Sequence, residues 1–322
     1  MNNWYVSTPV WGDFFRKVFV ERAVPSYLAA LILDNVGAEQ VKWIIHTDQP
    51  GFADRDLHGY PVTYIQTFPG AAFYDEYREC HLSVLRDFAK PGDWVSLLNA
   101  DFIVSNNFFV RIREHLSGNH KAVAALGMRT LLDEHLPPTS ADPRTLLSWG
   151  WSHKHEETRE SVWGSGHFWP PTIVFFEEGD SVVARSFQIH PVAIVKDYPI
   201  EIVTSADGET LENFPFETIH VVSDPDDLAF IEMSPFGKCG PIDEDLLSIG
   251  AVVGLMHSHY MRAPLYRWQF GHRIVIKGDG AHVGDTQIAK AILDAPFHPV
   301  RRSAVRRWVK KAVSRWGWRA HG

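Results

Sequence analysis

Cysteine is nearly absent from the 322-residue sequence, which contains only Cys80 and Cys239. The two residues are isolated and show no metal-binding spacing, so a disulfide-stapled protein is disfavoured and a reducing compartment is expected. No apolar run reaches the roughly 18 residues that a membrane span needs. The N-terminal residues lack a basic stretch followed by an apolar core, so we expect no signal peptide. These absences favour a cytoplasmic location.

Two common phosphate-binding loops are also missing. No Gly-x-Gly-x-x-Gly motif follows the first predicted strand, and no Walker phosphate loop occurs anywhere in the sequence. A dinucleotide-dependent enzyme and an ATPase are therefore disfavoured.

The overall composition is that of an ordinary globular protein, with 45% hydrophobic and 22% charged residues. The charge is unevenly distributed, however. The formal net charge is -8, and residues 301–322 carry eight Lys or Arg and no Asp or Glu. Removing that +8 leaves about -16 on the rest of the chain, so the body is acidic and the tail is basic. This asymmetry predicts a polyanionic partner for the tail.

Apolar strand-like segments alternate with helical patterns over the first 125 or so residues. Helical spacing runs from Phe14 to Leu33 with an interruption near Pro25, again from Ala72 to Ala89, and again from Asn107 to Leu116. The intervening predicted strands are Trp4–Thr8, Val41–Ile45, Pro61–Ile65, Trp94–Leu98 and Ala122–Leu126. This alternation is typical of βα units on a mostly parallel sheet.

Polar side chains follow several of these predicted strands. Right-handed crossovers would place Ser7, Thr8, Asp48 and Asp101 along one edge of the sheet. Open α/β sheets bind ligands at the carboxyl ends of their strands, and a carboxylate there can hold a hard divalent cation. Asp101 is the strongest candidate, although a role in capping a turn is equally compatible with its position.

The second half of the sequence is less regular. We expect a loop from Arg129, a helix around Pro143 to Glu160 and a strand-like stretch from Ser181 to Val195. His190 lies directly before Pro191, where the chain must stay extended. Residues 243–254 have a helical pattern, and His257 and His259 then follow two positions apart. They would share a face of a strand, which suits a metal pair, a phosphate site or a purely structural role.

Four segments together resemble motifs of bacterial GT-A-type glycosyltransferases. Most of the family members that the sequence resembles are uncharacterised. They are Tyr5–Gly12, Ser96–Ser105, Arg185–Pro191 and His220–Asp226, and the resemblance spans roughly residues 4–265. It implies a GT-A-like, Rossmann-like αβα sandwich with a mixed, mostly parallel central sheet. We expect one such domain over residues 1–298, with a nucleotide-binding half (1–128) and an acceptor and metal half (129–298).

The resemblance also implies site residues, a nucleotide-diphosphate sugar donor (a UDP- or GDP-sugar) and a divalent metal, Mn²⁺ or Mg²⁺. Asn99-Ala100-Asp101 takes the place of the family's Asp-x-Asp motif, with Asn99 departing from it. The implied metal ligands are Asp101 and His190, with His257 and His259 as further phosphate or metal ligands. The candidate catalytic bases are Asp207 and Asp226, and the donor-binding set is Ser7, Thr8, Asp48, Arg78 and Asn99.

The expected function is sugar transfer to a saccharide or lipid-linked acceptor in surface-glycan biosynthesis. Two alternatives stay open. One is a sugar nucleotidyltransferase, although Ser7–Gly12 is a poor match for the glycine-rich phosphate loop of those enzymes. The other is a non-catalytic nucleotide-sugar-binding scaffold at the membrane, which the amide at Asn99 favours.

The tail, residues 299–322, is predicted to be a basic amphipathic helix. Its apolar residues recur at i, i+3, i+4, i+7, i+8 and i+11, which forms one continuous stripe on a helix. The stripe consists of Val305, Trp308, Val309, Ala312, Val313 and Trp316. A basic helix with such a face should lie in a membrane interface and anchor the protein peripherally at the inner face of the plasma membrane. Docking on the acidic body is an alternative, and nucleic acid is disfavoured because the aromatic stripe has no evident use on a phosphate backbone.

Vesicle flotation tests the anchor. The full chain should float with anionic vesicles more than with zwitterionic ones, and removal of residues 301–322 should abolish that preference, because the cations and the apolar stripe act together. Equal flotation of the two forms would rule out the anchor. An insoluble truncated chain would instead place the stripe in the protein core.

Overall fold

The computed structural model describes residues 2–57, 59–68, 70, 73–163, 173–197, 208–235 and 264–294. The strands in this part of the chain are β1 Trp4–Val10, β2 Val41–Thr47, β3 Val62–Gln66, β4 Trp94–Leu97, β5 Phe102–Val104, β6 Ala122–Ala125, β7 Gly127–Leu131, β8 Ile173–Glu178, β9 Ser181–Ser186, β10 His190–Val195, β11 Ile219–Val221, β12 Phe230–Ser234 and β13 Ile274–Lys277.

The α-helices in the same residues are α1 Gly12–Val18, α2 Val24–Leu33, α3 Phe73–Ser83, α4 Phe108–Ser117, α5 Pro143–Ser152, α6 Glu156–Glu160, α7 Pro264–Gly271 and α8 Asp285–Asp294. Two π-helical turns, Phe19–Ala23 and Val84–Phe88, continue α1 and α3, and two 3₁₀ turns cover Gly208–Asn213 and Phe216–Thr218.

Seven strands form the central sheet, in the order β11-β6-β10-β4-β1-β2-β3. Strands β3, β2, β1 and β4 are mutually parallel, and β6 is parallel to β11. β10 runs antiparallel between β4 and β6. The prediction of a mixed, mostly parallel sheet is therefore confirmed, whereas the predicted basic C-terminal helix lies outside the described residues.

Helices cover both faces of this sheet. Side chains alternate along a strand, so Trp4 and Ser7 of β1 point to opposite faces. The Trp4 ring lies edge-on to the Phe109 ring of α4, and the two ring centroids are 5.4 Å apart. On the other face, the Ser7 hydroxyl bonds to His81 of α3 at 2.8 Å. The predicted αβα layering follows from these contacts.

The first predicted helix, Phe14 to Leu33, is interrupted as expected. The π-helical turn Phe19–Ala23 lies between α1 and α2, and Pro25 stands in the first turn of α2. Proline lacks an amide N–H and cannot continue the regular i to i−4 ladder, which accounts for the irregular turn before it.

Two smaller sheets extend the molecule, and both include strands that the sequence did not predict. β5, β12 and β7 form one three-stranded sheet, and β13, β9 and β8 form the other. The expectation of a loop from Arg129 is wrong, because Arg129 lies within β7. Similarly, the main strand before Asp101 ends at Leu97, and a second strand begins directly after Asp101 at Phe102.

The stretch from Ser181 to Val195 is two strands rather than one. β9 ends at Ser186, whose hydroxyl accepts from the Gln188 amide at 3.0 Å and donates to the Gln188 carbonyl at 2.6 Å. This local turn breaks the extended run and sends β10 into the central sheet. His190 opens β10 in the extended form expected before Pro191, and the pairing with β6 shifts register after that proline.

No helix in the described part of the chain is long and apolar enough to cross a membrane.

Gly150 of α5 sets how closely that helix approaches β7 and β12. A Cβ at Gly150 would lie 2.6 Å from the Met128 side chain and 2.9 Å from that of Ile231. We expect Gly150→Ala to lower the free energy of unfolding by about 1–3 kcal/mol, because the packed side chains must move. Gly271, at the end of α7, has no atom within 4 Å of such a Cβ.

Gly271→Ala is therefore the matched control, with an expected change within about 0.5 kcal/mol. Urea denaturation of both variants provides the measurement. Equal effects of the two substitutions would show that the close approach at Gly150 does not limit stability.

Candidate active site

The candidate site lies at the carboxyl edge of the central sheet. Because β1, β2 and β4 are parallel, their carboxyl ends meet at this edge. Asp48 follows β2 directly, and Asn99 and Asp101 lie in the turn between β4 and β5. The structure thus brings these three predicted residues to the same edge of the fold.

Asp101 is enclosed by other charged groups. The Met233 amide donates to the Asp101 carbonyl at 2.9 Å, which ties the turn to β12. Burial, and then the negative charge of Glu232, raise the pKa of the Asp101 carboxyl from 3.8 to about 8, while Arg129 and His190 act in the opposite direction. In the ligand-free protein, Asp101 therefore retains its proton at neutral pH.

Arg129 provides the positive charge of this cluster. Its guanidinium contacts Glu232 at 3.1 Å and Glu157 at 2.6 Å. The charge of Glu232 raises the pKa of Arg129 above its already high value, so the guanidinium is permanently charged. With 39% of its side chain exposed, Arg129 still faces solvent and can reach a ligand.

His190 lies beside Asp101 at the start of β10. Its ring centroid is 6.2 Å from those of both Phe102 and Phe230. Since β10 is antiparallel to β4, its first residue lies at the carboxyl edge of the parallel strands. The structure therefore places His190 next to Asp101, as the family resemblance implied, although its role as a ligand stays a prediction.

Asn99 is held from both faces of the sheet. Tyr27 of α2 donates its hydroxyl to the Asn99 carbonyl at 2.9 Å, and Tyr77 of α3 donates its hydroxyl to the Asn99 Oδ1. Burial raises the pKa of Tyr27 well above 10, so its hydroxyl remains a donor. The amide of Asn99 suits this arrangement because its oxygen accepts from tyrosine without adding a charge near Asp101.

Asp48 is already engaged with the start of α1. Its carboxylate accepts from the Gly12 amide at 3.2 Å and from the Arg16 guanidinium. Burial alone would raise the pKa of Asp48, but the hydrogen bonds from Arg16 and Gly12 outweigh it and hold that pKa below its usual value. Asp48 is therefore ionised and fixes the end of β1 against the end of β2.

The position expected for Ser7 and Thr8 needs correction. They were predicted to end the first strand, but β1 continues to Val10, and both hydroxyls are fully buried. The Ser7 hydroxyl is hydrogen-bonded to His81 of α3. Ser7 and Thr8 would have to become exposed before either could contact a nucleotide-sugar donor. Arg78 lies on α3, directly after Tyr77, and is partly buried. The donor-binding roles of these residues stay predictions.

The structure does not bring Asp226 to this cluster. Asp226 precedes β12, whereas Glu232 is the central residue of that strand. Its carboxylate is 60% exposed and pairs with Arg144, whose hydrogen bonds lower the pKa of Asp226. The second candidate base, Asp207, and the histidine pair His257 and His259 lie outside the described residues.

Sequence reasoning missed Glu232, Arg129 and Tyr77. Glu232 is flanked by the apolar residues of Phe230–Ser234, and Arg129 interrupts a short strand-like run. A charged residue within an apolar segment is uncommon unless it is paired, so this pattern was the available signal. Nothing in the sequence indicated that the two strands are neighbours.

No protein-family model and no curated protein sequence matches the chain. Solved structures similar to it include S. aureus TarS, with 11% identity, a TM-score of 0.38 and coverage of 81% of this chain. The chain spans only 40% of that TarS chain. TarS 1–349 in complex with UDP-GlcNAc is also similar, with 11% identity, a TM-score of 0.36, and coverage of 90% of this chain and 70% of that one.

A third similar structure is that of a candidate glucose-1-phosphate thymidylyltransferase from Bacillus anthracis. It has 12% identity and a TM-score of 0.37, over 72% of this chain and 89% of that one. At these identities and TM-scores, the likenesses assign neither a family nor an activity to this chain.

The pKa of Asp101 has a measurable effect on stability. The folded protein keeps the Asp101 proton up to a pH of about 8, whereas the unfolded chain loses it near 3.8. The contribution of Asp101 to stability is therefore present below pH 4 and is lost as the pH rises to about 8, by up to about 1.4 kcal/mol per pH unit. We expect Asp101→Asn to make the free energy of unfolding decline less steeply between pH 5 and 8.

Urea denaturation at several pH values measures this difference. Asp180→Asn, in the exposed turn between β8 and β9, is the control and should leave the profile of the unsubstituted protein unchanged. Parallel profiles for Asp101→Asn and the unsubstituted protein would contradict the raised pKa.

Proposed function

We propose that this protein transfers a sugar from a nucleotide-diphosphate donor, a UDP- or GDP-sugar, to a saccharide or lipid-linked acceptor. The observation that carries this proposal is the group of Asp101, Glu232, Arg129 and His190 at the carboxyl edge of a mixed α/β sheet. This edge is where such sheets bind their ligands. A diphosphate needs positive charge around it, and these residues can provide it directly and through a cation.

The residues fit a divalent metal, Mn²⁺ or Mg²⁺. Asp101 and Glu232 are carboxylates close enough for the charge of one to raise the pKa of the other. Hard cations prefer such oxygen ligands, and Asp101 and Glu232 would hold the ion with His190 alongside. When bound, the ion would neutralise the negative charge that develops on the leaving diphosphate.

Arg129 and Asn99 have separate roles in this proposal. Arg129 keeps Glu232 in place and presents a permanent positive charge toward the donor phosphates. Asn99 shapes the turn instead of binding the ion, since its side-chain oxygen already accepts from Tyr77. The turn that carries Asp101 is therefore positioned before any donor binds.

An inverting reaction also needs a carboxylate that removes the proton of the acceptor hydroxyl. Asp226 is poorly suited to this, because the hydrogen bonds from Arg144 lower its pKa and weaken it as a base. Asp207 stays the candidate from the sequence. The proposed cellular setting is the cytoplasmic face of the membrane, in surface-glycan biosynthesis, with residues 301–322 as a peripheral anchor.

One observation favours a second candidate function, a nucleotide-sugar-binding scaffold without turnover. The Asp101 carboxyl keeps its proton to a pH of about 8, and a protonated carboxyl is a poor metal ligand. A protein with a weak metal site can bind a donor and leave it intact. Sugar nucleotidyl transfer remains the third possibility, and it differs in consuming a sugar phosphate and a nucleoside triphosphate.

A donor-hydrolysis assay distinguishes these functions. The full chain is incubated with a panel of UDP-, GDP- and CMP-sugars, with Mn²⁺, Mg²⁺ or EDTA, and the released nucleotide is measured. The transferase should release nucleoside diphosphate slowly, in a metal-dependent way that increases from pH 6 to 8 as Asp101 loses its proton. Asp101→Ala should reduce this release at least 100-fold and leave the protein folded, because Asp101 adds little to the apolar core.

Asp180→Asn again serves as the matched control and should retain full activity. Donor binding without nucleotide release would favour the scaffold. Full activity of Asp101→Ala would contradict the proposed metal site, and pyrophosphate formation from a nucleoside triphosphate would favour the nucleotidyltransferase.

A further inference from the structure

Three histidines converge at a place that the proposed sugar transfer does not use. His115 lies in the last turn of α4, His120 is the third residue after that helix, and His220 is the central residue of β11. One ring nitrogen from each can be chosen so that all three nitrogens lie within 4.8 Å of one another. The rings of His115 and His220 are stacked, with centroids 3.5 Å apart.

This histidine cluster is separate from the candidate active site. His120 precedes the amino end of β6, whereas Ala125 at the other end of β6 pairs with His190. His120 and Ala125 are five positions apart, and the four residues of β6 alone extend over about 13 Å at the usual rise of about 3.3 Å per residue. The cluster therefore lies toward the amino edge of the parallel strands, and one ligand cannot occupy both places.

Asp227 fixes two of the three rings. Its carboxylate accepts from Nε2 of His115 at 3.0 Å and from Nε2 of His220 at 2.6 Å, and Arg111 donates to it at 2.8 Å. The carboxylate therefore holds His115 and His220 side by side, through one ring nitrogen of each.

The arrangement of carboxylate and histidine is the one found around metal ions in proteins. An acidic group that accepts from one ring nitrogen orients the ring and makes the other nitrogen a better ligand. A hydrogen bond to the backbone of His115 positions the ring of His120. The exposed fractions of His115 and His220, 14% and 24%, leave the rings accessible to an ion from solvent.

We propose that His115, His120 and His220 form a binding site for a transition-metal ion, with Zn²⁺ as the best match. Three neutral imidazoles suit Zn²⁺, and water would complete a tetrahedral site. Metal–nitrogen bonds of about 2.0–2.1 Å place ligand atoms about 3.4 Å apart, so nitrogens as far apart as 4.8 Å must close by about 1.4 Å. The stacked rings of His115 and His220 must also tilt so that both point at one ion. His120 lies in a short connection between α4 and β6 and can make this movement.

This site differs in chemistry from the proposed oxygen-rich site at Asp101. Mn²⁺ and Mg²⁺ prefer carboxylate oxygens, whereas imidazole nitrogens favour Zn²⁺. The two inferences are therefore independent, and a failure of either leaves the other intact.

Metal binding by the purified, untagged full chain tests the proposal. The protein is treated with EDTA, dialysed against buffered Zn²⁺, and analysed for zinc bound per chain. Co²⁺ substitution gives a second measurement, since tetrahedral Co²⁺ with nitrogen ligands absorbs strongly in the visible range. We expect zinc binding with an affinity that falls at least tenfold in His120→Ala, together with loss of the Co²⁺ absorption.

His120→Ala leaves the bonds of Asp227 intact, so this variant should remain folded, and its thermal unfolding in EDTA is the check. If His120→Ala does not fold, His220→Gln removes a different ligand and serves as the test variant instead. His135→Ala removes a half-exposed histidine elsewhere and is the matched control, which should bind zinc like the unsubstituted protein. The absence of zinc binding, or equal zinc affinity and Co²⁺ absorption with and without His120, would overturn the proposal.

Discussion

The arrangement of the candidate active site depends on the Asp101 carboxyl, which burial and the nearby charge of Glu232 together keep protonated. Arg129 offsets the charge of Glu232 but leaves Asp101 protonated near neutral pH. A positive charge bound beside Asp101 would favour its ionised form and release the proton. The surrounding strands and helices keep the two acidic groups together despite the cost.

Three separate parts of the fold hold Asp101 in this position. β12 holds its backbone through the Met233 amide, and the helices on the two faces of the sheet hold the adjacent Asn99 through Tyr27 and Tyr77. A turn fixed from both faces loses little conformational entropy when a ligand binds. The contacts with Tyr27 and Tyr77 account for an amide at position 99, since its oxygen accepts a hydrogen bond without adding a charge.

The sequence was sufficient to predict the layered α/β fold because buried strands and amphipathic helices leave strong periodic patterns. It also identified the turn at Asp101, since polar residues follow an apolar run there. It could not identify Glu232 or Arg129 as neighbours, because their proximity results from the pairing of β12 with β5 and β7, whose residues are about 100 positions apart. The histidine cluster was missed for the same reason, as His220 is 100 residues from His120.

The position of β10 in the sheet also affects how the chain folds while it is being synthesised. The central sheet takes β10 and β11 from the second half of the sequence and inserts β10 between β4 and β6 of the first half. A nascent chain that ends near residue 128 therefore leaves open the place between β4 and β6 that β10 fills, with unpaired backbone groups that can bind another chain. Because translation adds about 5–20 residues per second, this opening lasts for several seconds on the ribosome.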